Sequence, residues 1–278
     1  MKRGINEIIG HSVVTSDGTK GKIKDCLFDR ENWQVRYLEV DFGNLFSSDR
    51  ILIPRTLLKD SHITDDDLLL NVKNSVVKLG PKPEEDLPIS RQYEERLNGY
   101  YNQETYSTSR TYSTGEAGAG RGYGVTGETT FGPGSGVTES ANSASAYPSD
   151  YPSRRVPQYT STEDSKQSSN LFSFKEVNGY KIHATDGVLG SVEDLIIDEN
   201  SWEIVYMVVD TNNWLPWSKK TLIDISFIEN INYGTREAEI SLNTDFLKNA
   251  PDYDEDRFVD DQYESNLRNY YERSWVRH

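Results

Sequence analysis

Few residues of this chain have the types and spacing that catalysis needs. The four histidines, His11, His62, His183 and His278, are scattered, and Cys26 is the one cysteine, so no intrachain disulfide can form. We find no nucleophile elbow, no HExxH zinc motif, no phosphate-binding loop and no dinucleotide-binding fingerprint. The sequence therefore predicts a protein that is not an enzyme and that holds no cofactor.

One acidic pattern could bind a metal ion. The first three ligand positions of a calcium-binding EF-hand loop have the same spacing as Asp252, Asp254 and Asp256. Such a loop needs Gly at its sixth position and Glu at its twelfth, where this chain has Arg257 and Tyr263. We interpret the segment as a solvated acidic turn and predict no metal site.

The strongest binding candidate is aromatic. Trp214, Leu215, Pro216 and Trp217 stand together, beside Lys219 and Lys220. Tryptophan is over-represented at the energetic centres of protein interfaces, so this loop is a candidate partner-binding surface. The alternative is that its tryptophans fold back over the mouth of their own domain.

Composition limits the class of partner. The chain has 278 residues, 35% of them hydrophobic, with a net charge of −15 and a mean hydropathy of −0.71. An acidic surface repels phosphate backbones and anionic lipids, so we expect neither nucleic acid nor membrane as a partner. With no apolar run of spanning length and no signal peptide evident, we expect a cytoplasmic protein.

The middle of the chain differs from its flanks. Between residues 98 and 170 the branched aliphatic residues are Val125, Val137 and Val156, among Ser, Thr, Gly and Tyr. Such a stretch cannot bury enough apolar surface to fold. We predict a first domain over residues 1–101, a disordered linker over 102–170 and a second domain over 171–278. The linker is either a solvated spacer or a weak self-association segment.

The two flanks repeat each other. Ten residues recur 169 positions later without a gap, and the register continues at 170 after one insertion. The recurring residues of the first flank are Gly10, Asp17, Gly18, Gly21, Asp25, Asp29, Trp33, Tyr37, Val40 and Asp41. Two distant copies indicate a tandem of domains rather than a solenoid. We call residues 1–101 the first repeat and residues 171–278 the second repeat.

Each repeat has the pattern of a small β-domain. Asp17–Gly18 and Asp186–Gly187 lie between apolar segments, a hairpin signal in which both turn residues would take positive φ. Gly21 and Gly190 follow, at positions typical of a bulge or a tight bend. About six short strands with turns between them predict a closed barrel.

The repeated polar and aromatic residues have two interpretations each. Asp25 and Asp194 are either structural acceptors of backbone N–H groups at a bulge or paired catalytic carboxylates. Trp33 and Trp202 lie beside matched strands and are predicted to be buried. Exposure of both rings would indicate either a different strand register or ligand platforms.

A helix closes each repeat. Tyr93, Leu97 and Tyr100 share one helical face, and the same spacing recurs from Tyr263. The helix packs either on its own barrel or against the other repeat or another chain.

These motifs resemble the PRC-barrel family, which includes the cytoplasmic domain of a photosynthetic reaction-centre subunit and the C-terminal domain of a ribosome-maturation factor. The family's opening stands here as Asp17–Gly21 with Asp25, and again as Asp186–Gly190 with Asp194. Residues 209–216, 249–254 and 263–271 are similar to two-copy bacterial members, whereas the first repeat has Phe42–Phe46 in place of the Trp-containing loop.

The resemblance implies a fold and a class of function. The fold is mainly β, with two six-stranded PRC-type barrels, each followed by a helix. The function is that of a non-catalytic protein–protein adaptor with an unidentified protein partner and possible self-association. The alternative is an accessory protein related to the PRC-barrel subunit of photosynthetic reaction centres.

Overall fold

The strands that the sequence predicts are present in both repeats. The computed structural model describes residues 1–43, 47–59, 67–82, 91–101, 170–211, 220–255 and 259–275. The predicted linker, apart from Asn170, and residues 212–219, which include Trp214 and Trp217, lie outside these residues.

The first repeat begins with a strand and a short helix, continues as a meander and ends on a helix. Its elements are β1 (Lys2–Gly4), α1 (Ile5–Ile8), β2 (Ser12–Val14), β3 (Lys20–Asp29), β4 (Gln34–Asp41), β5 (Arg50–Pro54), a 3₁₀ turn (Arg55–Leu57), β6 (Asp67–Leu69), α2 (Asn74–Leu79) and α3 (Arg91–Tyr100).

The second repeat follows the same order with one more described strand. Its elements are β7 (Leu171–Ser173), α4 (Phe174–Val177), β8 (Lys181–Ala184), β9 (Gly187–Asp198), β10 (Glu203–Asp210), β11 (Lys220–Asp224), a 3₁₀ turn (Ile225–Phe227), β12 (Ile228–Asn232), β13 (Glu237–Ile240), α5 (Thr244–Lys248) and α6 (Asp261–Trp275).

Within each repeat the pairing is the same. Strands β2 to β5 pair in sequence as an antiparallel meander, and β6 lies parallel to β2. In the second repeat β8 to β11 form the meander, with β13 parallel to β8 and β12 outside it. The mainly β fold that the sequence predicts for both repeats is confirmed.

The first strand of each repeat pairs with the other repeat. Strand β1 lies antiparallel to β9, and β7 lies antiparallel to β3. Strands β4 and β10 also meet where each begins, at Gln34 and Glu203. The sheet therefore runs through both repeats, whose described residues belong to one compact unit. The sequence does not decide whether the barrels pack together, and in the structure they do.

The Asp-Gly turns differ from the predicted hairpin geometry. Gly18 has φ +85° and Gly187 has φ +153°, but Asp17 and Asp186 do not have positive φ. Each aspartate instead accepts hydrogen bonds at the start of a helix of its own repeat. Asp17 accepts the Asn74 N–H, and Asp186 accepts the Thr244 N–H and hydroxyl. Hydrogen bonds from the Thr15 hydroxyl and the Asn74 N–H lower the pKa of Asp17, and those from the Thr244 hydroxyl and N–H lower the pKa of Asp186. Each turn is therefore tied to the start of α2 or α5.

Gly21 and Gly190 lie where strands approach each other closely. A Cβ at Gly190 would collide with the Asp210 carbonyl, and β9 has a register shift beside it. A Cβ at Gly21 would meet Val40 and Phe42, in a stretch of β3 that pairs regularly with β2. Glycine is needed at both positions for close packing.

No helix within the described residues has both the length and the apolar character needed to cross a bilayer.

Candidate functional site at the junction of the repeats

Among the described residues, the cysteine and the histidines that could carry catalysis form no reactive pair with each other. Cys26 is fully buried on β3, and burial raises the pKa of its thiol well above the usual value. His183 lies 3.1 Å from Glu237 at the surface, far along the chain from His11. Among the described residues no cluster of three or more His, Cys, Asp or Glu could hold a metal ion. The distinctive chemistry of the described molecule lies instead at the junction of the two repeats.

Each repeat reaches into the other with a strand and one turn of helix. We call residues 2–8 (β1 and α1) and 171–177 (β7 and α4) the exchange segments. The first aligns Arg3 with Ile197, and the second aligns Phe172 with Phe28. The two registers are related by the 169-residue repeat, so both exchanges have one geometry.

The side chains on the first exchange segment are apolar on one face and ionic on the other. Ile5 and Ile8 are fully buried. Arg3 donates from Nε to the Glu199 carboxylate at 2.6 Å, with 9% and 4% of the two side chains exposed. Removal of one partner of such a buried ion pair strongly destabilises the fold, because the remaining charge would stay desolvated.

The second exchange segment replaces that ion pair with aromatic packing. Phe172 occupies the position that corresponds to Arg3, and Arg30 corresponds to Glu199. The Arg30 guanidinium lies 5.7 Å from the Phe172 ring centre. Phe172 also stacks on Tyr233 at 5.8 Å and tilts against Phe28 at 6.0 Å. Such pairs contribute stability beyond the area that they bury.

A buried aspartate anchors each exchange segment. Asp25 Oδ1 accepts the Lys175 N–H at 3.1 Å, and Asp194 Oδ1 accepts the Asn6 N–H at 3.1 Å. The Ser173 hydroxyl donates to Asp25 Oδ2. The matching residue is Gly4, which has no hydroxyl, and a Cβ there would collide with the Asp194 carboxylate.

The two anchors lie beside register shifts in their strands. In β3 the shift falls between Ile23 and Asp25, and in β9 it falls between Val192 and Asp194. This is the structural interpretation of the repeated aspartates, with the addition that the N–H donors Asn6 and Lys175 come from the opposite repeat. The alternative of paired catalytic carboxylates has no support in these contacts.

Burial dominates the electrostatics of both anchors. It raises the pKa of Asp25 to about 6, against the hydrogen bonds from Ser173 and Lys175. It raises the pKa of Asp194 to about 7, where the Asn6 N–H opposes it and Glu7 adds to it. Asp25 has an additional hydroxyl donor, Ser173, which opposes the rise in its pKa.

The repeated tryptophans complete the junction. Trp33 and Trp202 are 3% and 0% exposed, which confirms that both are buried. Their main chains have φ +58° and +59°, an uncommon conformation for a bulky residue. The Trp202 carbonyl accepts the Val35 N–H, and the Trp33 carbonyl accepts the Ile204 N–H. The turns that hold the tryptophans therefore join the two repeats.

The closing helices lie on their own repeats. The hydroxyls of Tyr93 and Tyr100 donate to main-chain carbonyls of the first repeat. The hydroxyls of Tyr263 and Tyr270 do the same in the second. In addition, Lys2 forms an ion pair with Glu264 of α6 at 2.6 Å, so one helix also contacts the other repeat.

The sequence-predicted partner-binding residues, Trp214, Leu215, Pro216 and Trp217, lie outside the described residues, so they stay a prediction.

Sequence reasoning missed the exchange segments altogether. The signal was present in Ile5, Ile8, Phe174 and Val177, apolar residues at corresponding positions ahead of the first predicted strand.

Comparison with known proteins identifies the domain twice. The model of the PRC-barrel domain family matches residues 2–77 and 169–247, more than half of the chain. Both matched regions include an exchange segment. None of the curated proteins matches the chain.

Proposed function

Because this chain belongs to the PRC-barrel family, a family of non-enzymatic domains, we propose that it acts as a protein–protein adaptor. In this role the paired barrels are a rigid scaffold, and loops on the scaffold bind the partner. Function on such scaffolds is carried by loops more often than by strands.

One observation carries the proposal. The aspartates of the repeated Asp-Gly turn and of the junction each accept hydrogen bonds that hold the fold together, which supports a structural role for them. Asp17 and Asp186 cap helices, whereas Asp25 and Asp194 hold the exchange segments. A repeated motif used entirely for assembly supports a binding module rather than an enzyme.

The difference between the repeats indicates where the partner binds. The second repeat has Trp214 and Trp217 in a loop where the first has Leu45 and Ser48. Two tryptophans in a loop after β10 are the best candidates for interface hot spots in this chain. We assign the main partner surface to that loop.

A second exposed apolar surface offers a matched control. On the first repeat, Leu79 of α2 is 77% exposed, with Val76 and Tyr100 at 39% beside it. The corresponding position of the second repeat holds Asn249. A V76S/L79S variant therefore removes apolar surface of similar kind from the other repeat.

The experiment compares capture of partners by three tagged chains. The W214A/W217A variant should capture at least tenfold less of the partner that the wild type enriches, because hot-spot losses exceed about 2 kcal/mol. V76S/L79S should capture it normally, and both variants should keep the wild-type melting temperature. Equal capture by the wild type and W214A/W217A would contradict the assignment.

The alternative function, an accessory protein related to the PRC-barrel subunit of photosynthetic reaction centres, is supported by family resemblance alone. No feature of the described residues favours it over the adaptor. An adaptor with a photosynthetic partner would show that partner in the same capture experiment.

A further inference from the structure

The contacts that join the repeats are independent of the covalent connection between them. Each exchange segment buries its apolar residues in the opposite repeat, with Ile8 and Val177 both fully buried. The chain connects the repeats only through residues 102–169. A second repeat from another chain would present the same β9 strand, the same Asp194 and the same Glu199.

We propose that this chain binds a second copy of itself by the same exchange, so that the first repeat of each chain is completed by the second repeat of the other. The product is a closed dimer with two junctions, each built like the junction within one chain. Exchange of identical elements between protomers is an established route to dimers.

Complementarity at the junction favours this partner over an unrelated protein. Main-chain pairing alone would accept many strands. The pairs Arg3–Glu199 and Phe172–Arg30, and the anchors Asp25 and Asp194, require the matching residues of a first and a second repeat. Only another copy of this chain supplies both sets together.

The structure also shows where each exchange segment turns back to its own barrel. Gly10 has φ +91° and Gly179 has φ +86°, in the left-handed region that favours glycine. The Gly10 N–H donates to Ile23 of the first repeat, and the Gly179 N–H donates to Val192 of the second. The exchanged unit thus ends at a defined glycine in each repeat.

The covalent connection between the repeats determines the equilibrium between the closed monomer and the dimer. This connection, whose residues 102–169 lie outside the described residues, gives each repeat an effective concentration on the order of millimolar for the other. At micromolar protein the closed monomer therefore dominates. The fraction of dimer rises with chain concentration.

The buried ion pair of Arg3 and Glu199 allows a charge-exchange test. The R3E chain places two acidic side chains in its own junction, and the E199R chain places two basic side chains there. When the two chains are combined, one junction of the mixed dimer joins both substituted side chains, which have opposite charges. The other junction keeps the native pair. Both junctions of the mixed dimer are complementary, whereas neither variant is complementary within itself.

We would refold R3E and E199R separately, together, and as the R3E/E199R double variant, and measure particle mass by light scattering. The proposal predicts a 1:1 two-chain particle as the main species in the mixture only. The double variant should be a monomer with restored stability, which shows that the reversed pair is tolerated. A single variant that fails to fold alone leaves the test intact, because the mixture supplies the complementary junctions.

A second measurement uses the wild type. Refolding at about 1 mM, near the effective concentration, instead of at about 10 μM should raise the two-chain fraction at least tenfold. Two-chain particles absent from both the mixture and the concentrated wild type would overturn the proposal.

Discussion

The two exchange segments occupy equivalent positions but hold their neighbours by different chemistry. The first uses the buried Arg3–Glu199 ion pair, and the second uses Phe172 among Phe28, Arg30 and Tyr233. Main-chain pairing is identical, since Lys2 faces Asp198 as Leu171 faces Asp29. The shared feature is therefore the backbone register and the aspartate anchor.

This difference shows which parts of the junction the repeat must keep. A desolvated ion pair and an aromatic cluster of similar extent can be of comparable net stability. The anchors have no such apolar substitute, because the N–H groups of Asn6 and Lys175 need a side-chain oxygen as acceptor. Asp25 and Asp194 recur in both repeats, and the residues at positions 3 and 172 do not.

The largest expected effect comes from the buried tryptophans. Replacement of Trp33 or Trp202 by Ala should each lower the free energy of unfolding by about 3–5 kcal/mol. Because the repeats share one sheet, we expect one urea transition that moves as a whole. L79A, at a residue that is 77% exposed, is the control and should change stability by less than about 0.5 kcal/mol. Separate transitions for the two repeats would contradict the shared junction.

The ionic and aromatic junctions can be broken one at a time. R3A leaves Glu199 buried without its partner and should cost about 3–5 kcal/mol, which R3A/E199Q should largely recover. F172A should cost a similar amount by loss of packing, and no single polar change at Arg30 should recover it. If R3A/E199Q does not recover stability in urea unfolding, or if a polar substitution of Arg30 recovers F172A, the junctions do not differ as described.

The anchors predict a dependence of stability on pH. In the folded chain Asp25 and Asp194 have pKa values of about 6 and about 7, above the ordinary 3.8. The folded state thus retains protons that the unfolded chain releases. The stability from these groups is present in full below about pH 4 and is lost as pH rises through 6 and 7, by about 3–4 kcal/mol for each group.

Asparagine at the anchors should remove this dependence. D25N and D194N should be less sensitive to pH between 4 and 8 and more stable than the wild type at pH 8. The control is D186N, because the pKa of Asp186 is lowered and its contribution is lost only as pH falls through that value. If the wild type gains stability from pH 5 to pH 8 relative to D25N and D194N, the raised pKa values of Asp25 and Asp194 are wrong.

The smallest effect concerns the closing helices. Glu94 of α3 pairs with Arg36 of its own repeat at 2.9 Å, whereas Glu264 of α6 pairs with Lys2 of the other repeat. K2A should cost up to about 1 kcal/mol, as partly exposed ion pairs do. Loss of Lys2 should also speed hydrogen exchange in β1, whereas R36A should leave exchange in β1 unchanged.

The sequence predicts the fold of each repeat well and its junction poorly. Alternation from Gln34 to Asp41 and the Asp-Gly turns are local signals, and the strands appear where those signals place them. The exchange is non-local, because a three-residue strand such as β1 carries the same pattern whichever repeat it pairs with. Trp33 and Trp202 were recognised as buried, but their positive φ and their contact across the repeats depend on tertiary structure.

Cleavage of the connection tests most directly whether each repeat is completed by the other. A protease site inserted between residues 102 and 169 would allow the folded full chain to be cut into its two repeats. We expect both fragments to stay in one particle under native conditions and to separate only in denaturant. Two fragments that elute as separate folded monomers after cleavage would contradict the claim that each repeat is completed by the other.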